Sequence, residues 1–278
     1  MQSHWVLNGF SVMTSARHRN RFGPLLAATL ATLVATTETA TAVVFNPLIN
    51  GTFLNGNGAN SQWVQVRNDW RGTIYGQNPD FNGWNTGIWG LADATLALDP
   101  GNTDFVARYQ GLAGPIAYAD QRYLDAWGPT WGTQPLAPIL DPAGAYQDNW
   151  AVRFTGYISI TDPGLYNFGV LYDDGFSFSL FGADGSMSLL KDGLNPRDRL
   201  GFGSDLDLLP GLYGFQLTAW ERLEAGVVSL DWLRSGSDWQ PIPVSHLFSS
   251  VPVSAPTTAL LLLPGLAALA TRRRAWGS

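Results

Sequence analysis

The 278-residue chain contains no cysteine, so it has neither a disulfide nor a cysteine-based nucleophile or metal site. Of its three histidines, only His246 lies between the two terminal segments discussed below. A single histidine without cysteine gives no support to a Cys/His or Ser/His/Asp triad, or to a histidine-based zinc site. We therefore interpret His246 as a structural residue.

Lysine occurs once, at Lys191, and glutamate is also scarce, since only three of the 22 acidic residues are glutamate. Glutamate favours helices, whereas aspartate favours turns and metal-binding loops. Between the terminal segments we find no helical periodicity of useful length, and turn residues recur every eight to fifteen positions. This pattern predicts an all-β chain, a sandwich or a barrel.

The N-terminal segment has the composition of a secretory signal peptide. Arg17, Arg19 and Arg21 precede an apolar run over 24–35, and the small residues Ala40 and Ala42 then stand at the −3 and −1 positions of a cleavage site. Met13 is a plausible start that would give a signal of ordinary length. The order predicts a signal peptide over 1–42, helical in its apolar part, and therefore export.

The C-terminal segment has a short apolar run over 259–270, followed at once by Arg272, Arg273 and Arg274. Twelve helical residues rise only about 18 Å, which is less than the hydrocarbon core of about 30 Å. The run is a marginal transmembrane helix stopped by a basic cluster that would remain cytoplasmic. This predicts a tail that holds the chain at the inner membrane only transiently.

Ten basic and twenty-one acidic residues remain between these segments, so this part has a net charge near −11. A strongly acidic chain is disfavoured as a nucleic-acid partner, because phosphates require a basic face. The excess of acid instead suits an extracellular protein or one that binds cations.

Period-2 alternation of apolar residues is clearest in the second half, and it is typical of half-buried antiparallel strands. Turns are predicted at 161–164, 173–175, 183–185 and 210–211, and a polar loop at 191–199. The alternating residues are Trp150, Val152, Phe154, Ile158 and Ile160, then Tyr166, Phe168, Val170 and Tyr172, then Phe176, Phe178 and Leu180, then Tyr213, Phe215, Leu217 and Ala219, and finally Val228, Leu230 and Trp232.

The first half is rich in Asn, Gly and Trp, and its strands are harder to place. Short strands are expected at 63–67, 95–98 and 105–109, with a long connection over 129–142. The sequence allows either one extended sandwich or two small β-domains. We favour one sandwich, with an N-terminal part over 43–149, a core over 150–250 and a tail over 251–278.

The tail contains Val251, Pro252 and Pro256 ahead of the apolar run and the arginine cluster. This layout resembles the PEP-CTERM sorting signal of Gram-negative bacteria, although Val253 and Ser254 stand where the usual Glu and Pro are expected. The resemblance implies export, followed by processing by an exosortase and display at the cell surface or in the extracellular matrix.

A second resemblance spans residues 150–248. The segments that carry it, in order, are 154–157 (Phe-Thr-Gly-Tyr), 164–168 (Gly-Leu-Tyr-Asn-Phe), 173–175 (Asp-Asp-Gly), 211–213 (Gly-Leu-Tyr), 230–232 (Leu-Asp-Trp) and 243–245 (Pro-Val-Ser). Together they resemble the protective-antigen-type (PA-fourteen) domain. This implies an antiparallel β-sandwich of the kind found in adhesins, toxins and glycosidases.

In sugar-binding members of that family, paired aspartates joined by a cis peptide hold a calcium ion, which binds two sugar hydroxyls. By position, Asp173 and Asp174 would have this role, with Gly175 beside them. An Asn or Asp from a neighbouring loop usually completes the site, and Asp192, Asn195 and Asp198 are the candidates. The alternative is that 173–175 is a hairpin turn whose aspartates cap backbone amides.

The chemistry of calcium agrees with this assignment, since calcium prefers six to eight oxygen ligands and adjacent carboxylates supply several. The twelve tryptophans are a second candidate feature, because an exposed indole can stack on a sugar ring. Those in Gly-rich loops are Trp84, Trp89, Trp127 and Trp131. For any single tryptophan, we favour packing in the core.

Three functions follow from these features. The first is an exported module that binds glycans or exopolysaccharide through calcium, without catalysis, and the second is a structural or adhesive envelope protein that binds no sugar. The third and least supported is a glycoside hydrolase, for which Glu221 and Glu224 are the remaining glutamates.

Overall fold

A computed structural model of the protein describes residues 42–74, 85–120, 134–136, 148–224 and 226–252. Several predicted features lie outside these ranges: the signal segment up to Ala40, the sorting tail with Pro256 and its arginines, and three of the loop tryptophans, Trp84, Trp127 and Trp131. Ala42, Val251 and Pro252 fall at the edges of the described ranges.

The described residues form mostly strands, as the turn-rich composition predicts. The strands are β1 (Val43–Phe45), β2 (Ile49–Asn50), β3 (Ala59–Gln65), β4 (Ala107–Ala113), β5 (Ala117–Ala119), β6 (Gln134–Pro135), β7 (Trp150–Ile160), β8 (Gly164–Asp173), β9 (Gly175–Gly182), β10 (Gly185–Lys191), β11 (Asp198–Gly201), β12 (Leu206–Leu208), β13 (Gly211–Glu221), β14 (Val227–Arg234), β15 (Gln240–Pro241) and β16 (Leu247–Phe248). The described α-helix is α1 (Leu91–Leu98), and a 3₁₀ turn spans Val244–His246.

Two sheets face each other, which confirms the predicted sandwich. The first sheet has the order β1-β12-β8-β14-β5-β6, with β11 paired to β8 and β15 to β14. The second has the order β10-β9-β13-β7-β3-β4, with β16 paired to β7 and β2 to β13. The pairing is antiparallel as predicted except at the two ends of the first sheet, where β1 pairs with β12, and β5 with β6, in parallel.

Strands from both halves of the chain alternate in these sheets. In the second sheet β3 pairs with β7 over six residues, so strands of the first half extend the sheet of the second half. In the first sheet, β5 pairs with β14.

The prediction of a strand at 95–98 is wrong, because these residues form the last turn of α1. Alanine and leucine have high helix propensity, and the segment is Leu-Ala-Asp-Ala-Thr-Leu-Ala-Leu. Ala94, Ala97 and Leu98 are buried against Val64 and Trp220 on the outer face of the second sheet. This packing favours the helix, whereas the alternation over 95–98 alone fitted a strand equally well.

The other differences concern strand boundaries and edges. The predicted strands at 63–67 and 105–109 are β3 and β4, with shifted ends. The predicted loop at 191–199 contains the end of β10 and the start of β11. Strand β10 is easily missed because it is the outermost strand of its sheet and most of its residues are exposed.

Aromatic side chains fill the space between the sheets. Trp63 meets Phe154 edge-on at 5.6 Å between ring centroids and lies 5.7 Å from Trp150. The buried tryptophans are Trp63, Trp70, Trp150, Trp220 and Trp232. For these five, packing in the interior is confirmed as the role.

His246 lies at the edge of this core, where its ring packs edge-on against Trp232 at 4.9 Å. Its Nδ1 is 2.9 Å from the carbonyl oxygen of Ser159, so both the ring face and one nitrogen are engaged. Within the described ranges, no helix has the length and apolar character needed to cross a bilayer.

Candidate functional site

The two adjacent aspartates lie where the chain crosses from one sheet to the other. Asp173 ends β8 in the first sheet, opposite Val227, and Gly175 opens β9 in the second sheet, opposite Trp220. The alternative of a hairpin turn at 173–175 is wrong as to the hairpin, because β8 and β9 are not paired strands of one sheet. Its other part is confirmed, since both carboxylates accept backbone amides. The peptide bond between Asp173 and Asp174 is cis.

Backbone groups of neighbouring segments fix this corner. The Asp174 amide donates to the carbonyl oxygen of Trp220 at 3.0 Å. Its Oδ2 accepts a hydrogen bond from the Arg222 amide at 2.7 Å, and the residue is 9% exposed. The backbone amide of Arg197 donates to the Asp173 carboxylate. Each carboxylate is thus held by a backbone donor from a segment distant in sequence.

The loop between β10 and β11 closes over the corner through Asn195. Its Nδ2 donates to the carbonyl oxygen of Asp174 at 3.2 Å and to that of Asp192 at 2.9 Å. Because both partners are acceptors, the orientation of the amide is fixed, and its Oδ1 is left as an acceptor or metal ligand. Trp220 supports the loop from below, since its Nε1 donates to the carbonyl oxygen of Gly193 at 3.1 Å.

The other two candidates for a third ligand are placed differently. Asp198 is exposed at the start of β11, opposite Tyr172, and its Oδ1 accepts from the neighbouring Arg199 amide. Asp192 Oδ1 accepts from the Leu91 amide at 2.8 Å and from the Gly193 amide at 2.9 Å. Asp192 therefore satisfies a free amide at the N-terminus of α1. Asn195 is the one that contacts the Asp174 backbone.

Negative charge accumulates around the corner. Burial raises the pKa of Asp173 to about 8, and the charge of Asp174 adds to the rise. Burial likewise raises the pKa of Asp174 to about 6, against the opposing effect of the Arg222 amide and guanidinium. Two neighbouring carboxylates with raised pKa values are under-compensated by cations of the chain.

Glu221 adds to this imbalance from inside the protein. It is fully buried, and neither of its carboxylate oxygens has a hydrogen-bond partner among the described residues. Burial raises the pKa of Glu221 well above its ordinary value, and the charges of Asp174 and Asp148 raise it further. An enclosed carboxyl cannot reach a glycosidic oxygen, so Glu221 and Glu224 do not form a hydrolytic pair.

The described residues contain no group of three His, Cys, Asp or Glu side chains placed to hold a metal ion. A cation at the corner would therefore need oxygen ligands beyond the two aspartates. The Asn195 Oδ1, backbone carbonyl oxygens and water are of the type that calcium accepts. The donor set fits calcium in kind, because all of it is oxygen.

A groove of about 190 Å³ lies beside the corner, between α1 and the 192–193 turn, and Trp89 forms one of its walls. Trp89 is half-buried, and the Arg222 guanidinium lies over its ring at 4.6 Å. Arg222 thus connects the two features, because its amide holds Asp174 while its side chain holds Trp89. Trp89 is a candidate from its Gly-rich loop, whereas Arg222 lies more than 130 positions away and has no local sequence signal.

No family model matches the chain, and no curated protein matches it. Among solved structures, the PA14 domain of the MpAFP antifreeze protein is 16% identical, over 71% of this chain and 94% of that one, with a TM-score of 0.46. The PA14 sugar-binding domain of an RTX adhesin is 17% identical, over 69% and 98%, with a TM-score of 0.43. The A domain of epithelial adhesin 9 from Candida glabrata, in complex with Galβ1-3GlcNAc, is 11% identical, over 75% and 99%, with a TM-score of 0.41. The fold described above rests on the strand pairing itself.

Proposed function

We propose that the protein is a non-catalytic carbohydrate-binding module in which a calcium ion at Asp173, Asp174 and Asn195 binds two neighbouring hydroxyls of a sugar. The observation that carries this proposal is the sheet-crossing corner. It presents two adjacent carboxylates that backbone amides hold in place, with an oriented side-chain amide bound to the same segment.

The electrostatics of the corner support a cation as the missing partner. Burial disfavours the ionised forms of both carboxylates and raises both pKa values, and repulsion by Asp174 raises the pKa of Asp173 further. A divalent cation would offset that repulsion and displace the protons. Calcium fits better than zinc, because no histidine or cysteine is at hand and the ligands are hard oxygens.

The groove beside the corner would give the site its selectivity. A sugar whose hydroxyls bind the ion could place its ring against Trp89, since an indole face stacks on apolar sugar faces. Gly175 has no side chain to narrow the corner, and we assign it a place beside the bound sugar. We further propose that the chain is exported and displayed at the cell surface, through its signal segment and its PEP-CTERM-like tail acting on exosortase-type machinery.

Calcium binding and glycan binding are tested together, on the full-length chain and on its Asp173→Asn/Asp174→Asn variant. The double substitution keeps the shape of both side chains and removes their charge. Thermal unfolding is followed with calcium, with magnesium and with chelator, and a glycan array is screened under the same conditions. Asp238→Asn, at an exposed position between β14 and β15, is the matched control.

Calcium at 100 times its Kd should stabilise the parent protein and the control by about 2.7 kcal/mol and leave the double variant unchanged. Glycan binding should require calcium and vanish in the double variant. A folded parent protein that binds neither calcium nor any glycan would sink this proposal and favour a structural envelope protein. Release of free sugar from the array would instead point to a hydrolase.

A further inference from the structure

The outer face of the second sheet is open beyond the end of α1 and forms a second, larger groove. Its volume is about 480 Å³, within the range of ligand sites, and it is separate from the Asp173–Asp174 corner. Six side chains of β4, β3 and β7 define it: Asn60, Gln62, Gln110, Leu112, Arg153 and Thr155.

Strand register places these side chains in two rows. Gln110, Gln62 and Arg153 are opposite one another across β4, β3 and β7, and Leu112, Asn60 and Thr155 form the next row. Neighbouring strands are about 4.8 Å apart, so each row spans about 10 Å, close to the length of two linked sugar rings. Five of the six side chains end in an amide, hydroxyl or guanidinium group, and Leu112 is the apolar one.

Arg153 is the charged residue of this groove, and the described residues place no counter-ion beside it. Its guanidinium makes no hydrogen bond and no ion pair within the described part of the chain, and its Nε is shielded from solvent. Other arginines of the sandwich are engaged, as in the Arg199–Asp231 pair at 2.7 Å and the Arg234–Asp162 pair at 2.9 Å. A guanidinium with a shielded Nε and no protein acceptor is available to pair with an acceptor that a ligand brings.

Two of the amides that flank Arg153 are fixed by contacts to the rim of the groove. Gln62 Nε2 donates to the carbonyl oxygen of Leu98 at the end of α1, at 2.8 Å. Asn60 Nδ2 donates to the carbonyl oxygen of Ser249 at 2.7 Å. These bonds orient both amides, and the side-chain oxygen of each residue remains as an acceptor for hydroxyl groups.

We propose that this groove binds a carboxylate-bearing saccharide, such as the uronic acid units of an acidic polysaccharide. The guanidinium of Arg153 is a planar fork that matches a carboxylate in a bidentate pair. The flanking amides and the Thr155 hydroxyl exchange hydrogen bonds with the hydroxyls of the sugar rings. One carboxylate of the ligand would balance the charge of Arg153. The amide and hydroxyl side chains would bind the hydroxyls of the remaining ligand.

The charge of the protein favours this ligand over other polyanions. A nucleic acid would require several cations along its phosphates, whereas the groove offers one and the region between the terminal segments has a net charge near −11. A sparsely charged polysaccharide places its carboxylates farther apart and presents hydroxyls between them.

Binding of a tetragalacturonate is measured by calorimetry on the full-length chain, in the presence of chelator so that the calcium site cannot contribute. The matched neutral ligand is the same oligosaccharide with its carboxyls reduced to alcohols. The variants are Arg153→Gln, which removes the charge, and Arg153→Lys, which keeps the charge but not the fork. Arg234→Gln, which removes an exposed arginine of the other sheet, is the control.

We expect the reduced ligand and Arg153→Gln each to weaken binding at least tenfold, Arg153→Lys to weaken it less, and Arg234→Gln to leave it within twofold. The Asp173→Asn/Asp174→Asn variant should bind the acidic ligand as the parent protein does. Equal binding of the acidic and reduced ligands would overturn the proposal, as would full binding by Arg153→Gln. Binding of inorganic phosphate as tightly as the oligosaccharide would also overturn it, because the site would then be a simple anion site. If Arg153→Gln fails to fold, the two ligands and Arg153→Lys still decide the question.

Discussion

The Asp173–Asp174 corner and the Arg153 groove are opposite in charge and differ in how the fold builds them. The corner encloses carboxylates that backbone amides hold, whereas the groove exposes a guanidinium that no described group holds. Both carry charge that the chain itself leaves uncompensated, which is costly in a partly enclosed position. This contrast is the basis for proposing ligands of opposite sign, a cation at the corner and an anion in the groove.

The two regions should also respond differently to substitution. The corner depends on the backbone, since a sheet crossing, a loop and the end of β13 meet there within hydrogen-bonding distance. The groove depends on side chains that project from three paired strands. A change in backbone space should therefore disrupt the corner far more than the groove.

The largest contrast is expected from the same glycine substitution made in each region. A methyl group on Gly175 would lie 2.5 Å from the ring of buried Trp220 and 2.7 Å from the Lys191 carbonyl oxygen, so Gly175→Ala should destabilise the fold by about 1–3 kcal/mol. At Gly111, the methyl would meet the hydroxyl end of Tyr109, a half-buried side chain that can move aside, so Gly111→Ala should cost less than about 0.5 kcal/mol. Urea unfolding measures both, with Gly203→Ala, which meets nothing within 4 Å, as the control. Equal losses at the two positions would contradict the distinction.

Local patterns made much of the corner predictable from sequence. Asp173, Asp174 and Gly175 interrupt the alternation that ends at Tyr172 and resumes at Phe176, so the turn and its chemistry are visible in ten consecutive residues. The sequence leaves Asn195 as one of three candidates for the third ligand. Its contact with Asp174 depends on how the loop folds back, which no local pattern predicts. Periodicity predicts which residues face inward but not which sheet each strand joins, and the hairpin therefore stayed open as an alternative to the strand-end site.

The groove, by contrast, could not be predicted from the sequence. Gln110, Gln62 and Arg153 come from three separate segments, and only the register between β4, β3 and β7 brings them together. Each residue alone is an ordinary polar residue on the outer face of a strand. Helix α1 was missed for a similar reason, since tertiary packing on Val64 and Trp220 decided between helix and strand.

A pH-dependent effect of intermediate size is expected at Glu221, beneath the corner. Because burial raises its pKa in the folded chain, the folded state keeps a proton that the unfolded state releases above about pH 4. The stability linked to this proton is complete at low pH and is lost as the pH rises toward the folded pKa. Glu221→Gln cannot lose a proton, so its stability relative to the parent protein should improve by about 1 kcal/mol per pH unit above pH 5.

This is measured by urea unfolding at several pH values in chelator, with Glu224→Gln at an exposed position as the control. Comparing variant with parent cancels the contributions of the other acidic residues of the corner. A difference that stays constant from pH 5 to pH 8 would mean that Glu221 is ionised in the folded chain. The same series should leave binding of the acidic oligosaccharide unchanged, since the groove contains no carboxyl group among its six defining side chains.

The smallest expected effect concerns α1, which borders both regions. Asp192 accepts the Leu91 amide at the start of the helix, whereas Gln62 donates to the Leu98 carbonyl at its end. Asp192→Ala removes an acceptor for the first helical turn, which should lower the free energy of unfolding by about 1 kcal/mol or less, given that the contact is exposed.

The same substitution also loosens the wall between the 192–193 turn and Trp89. Calcium-dependent glycan binding should therefore weaken a few-fold, while binding of the acidic oligosaccharide stays within twofold, because the end of α1 is still held by Gln62. Asp238→Ala, at an exposed position between β14 and β15, is the control for both readouts. Equal weakening of both ligands would show that the helix moves as one body and that the two regions are coupled through it.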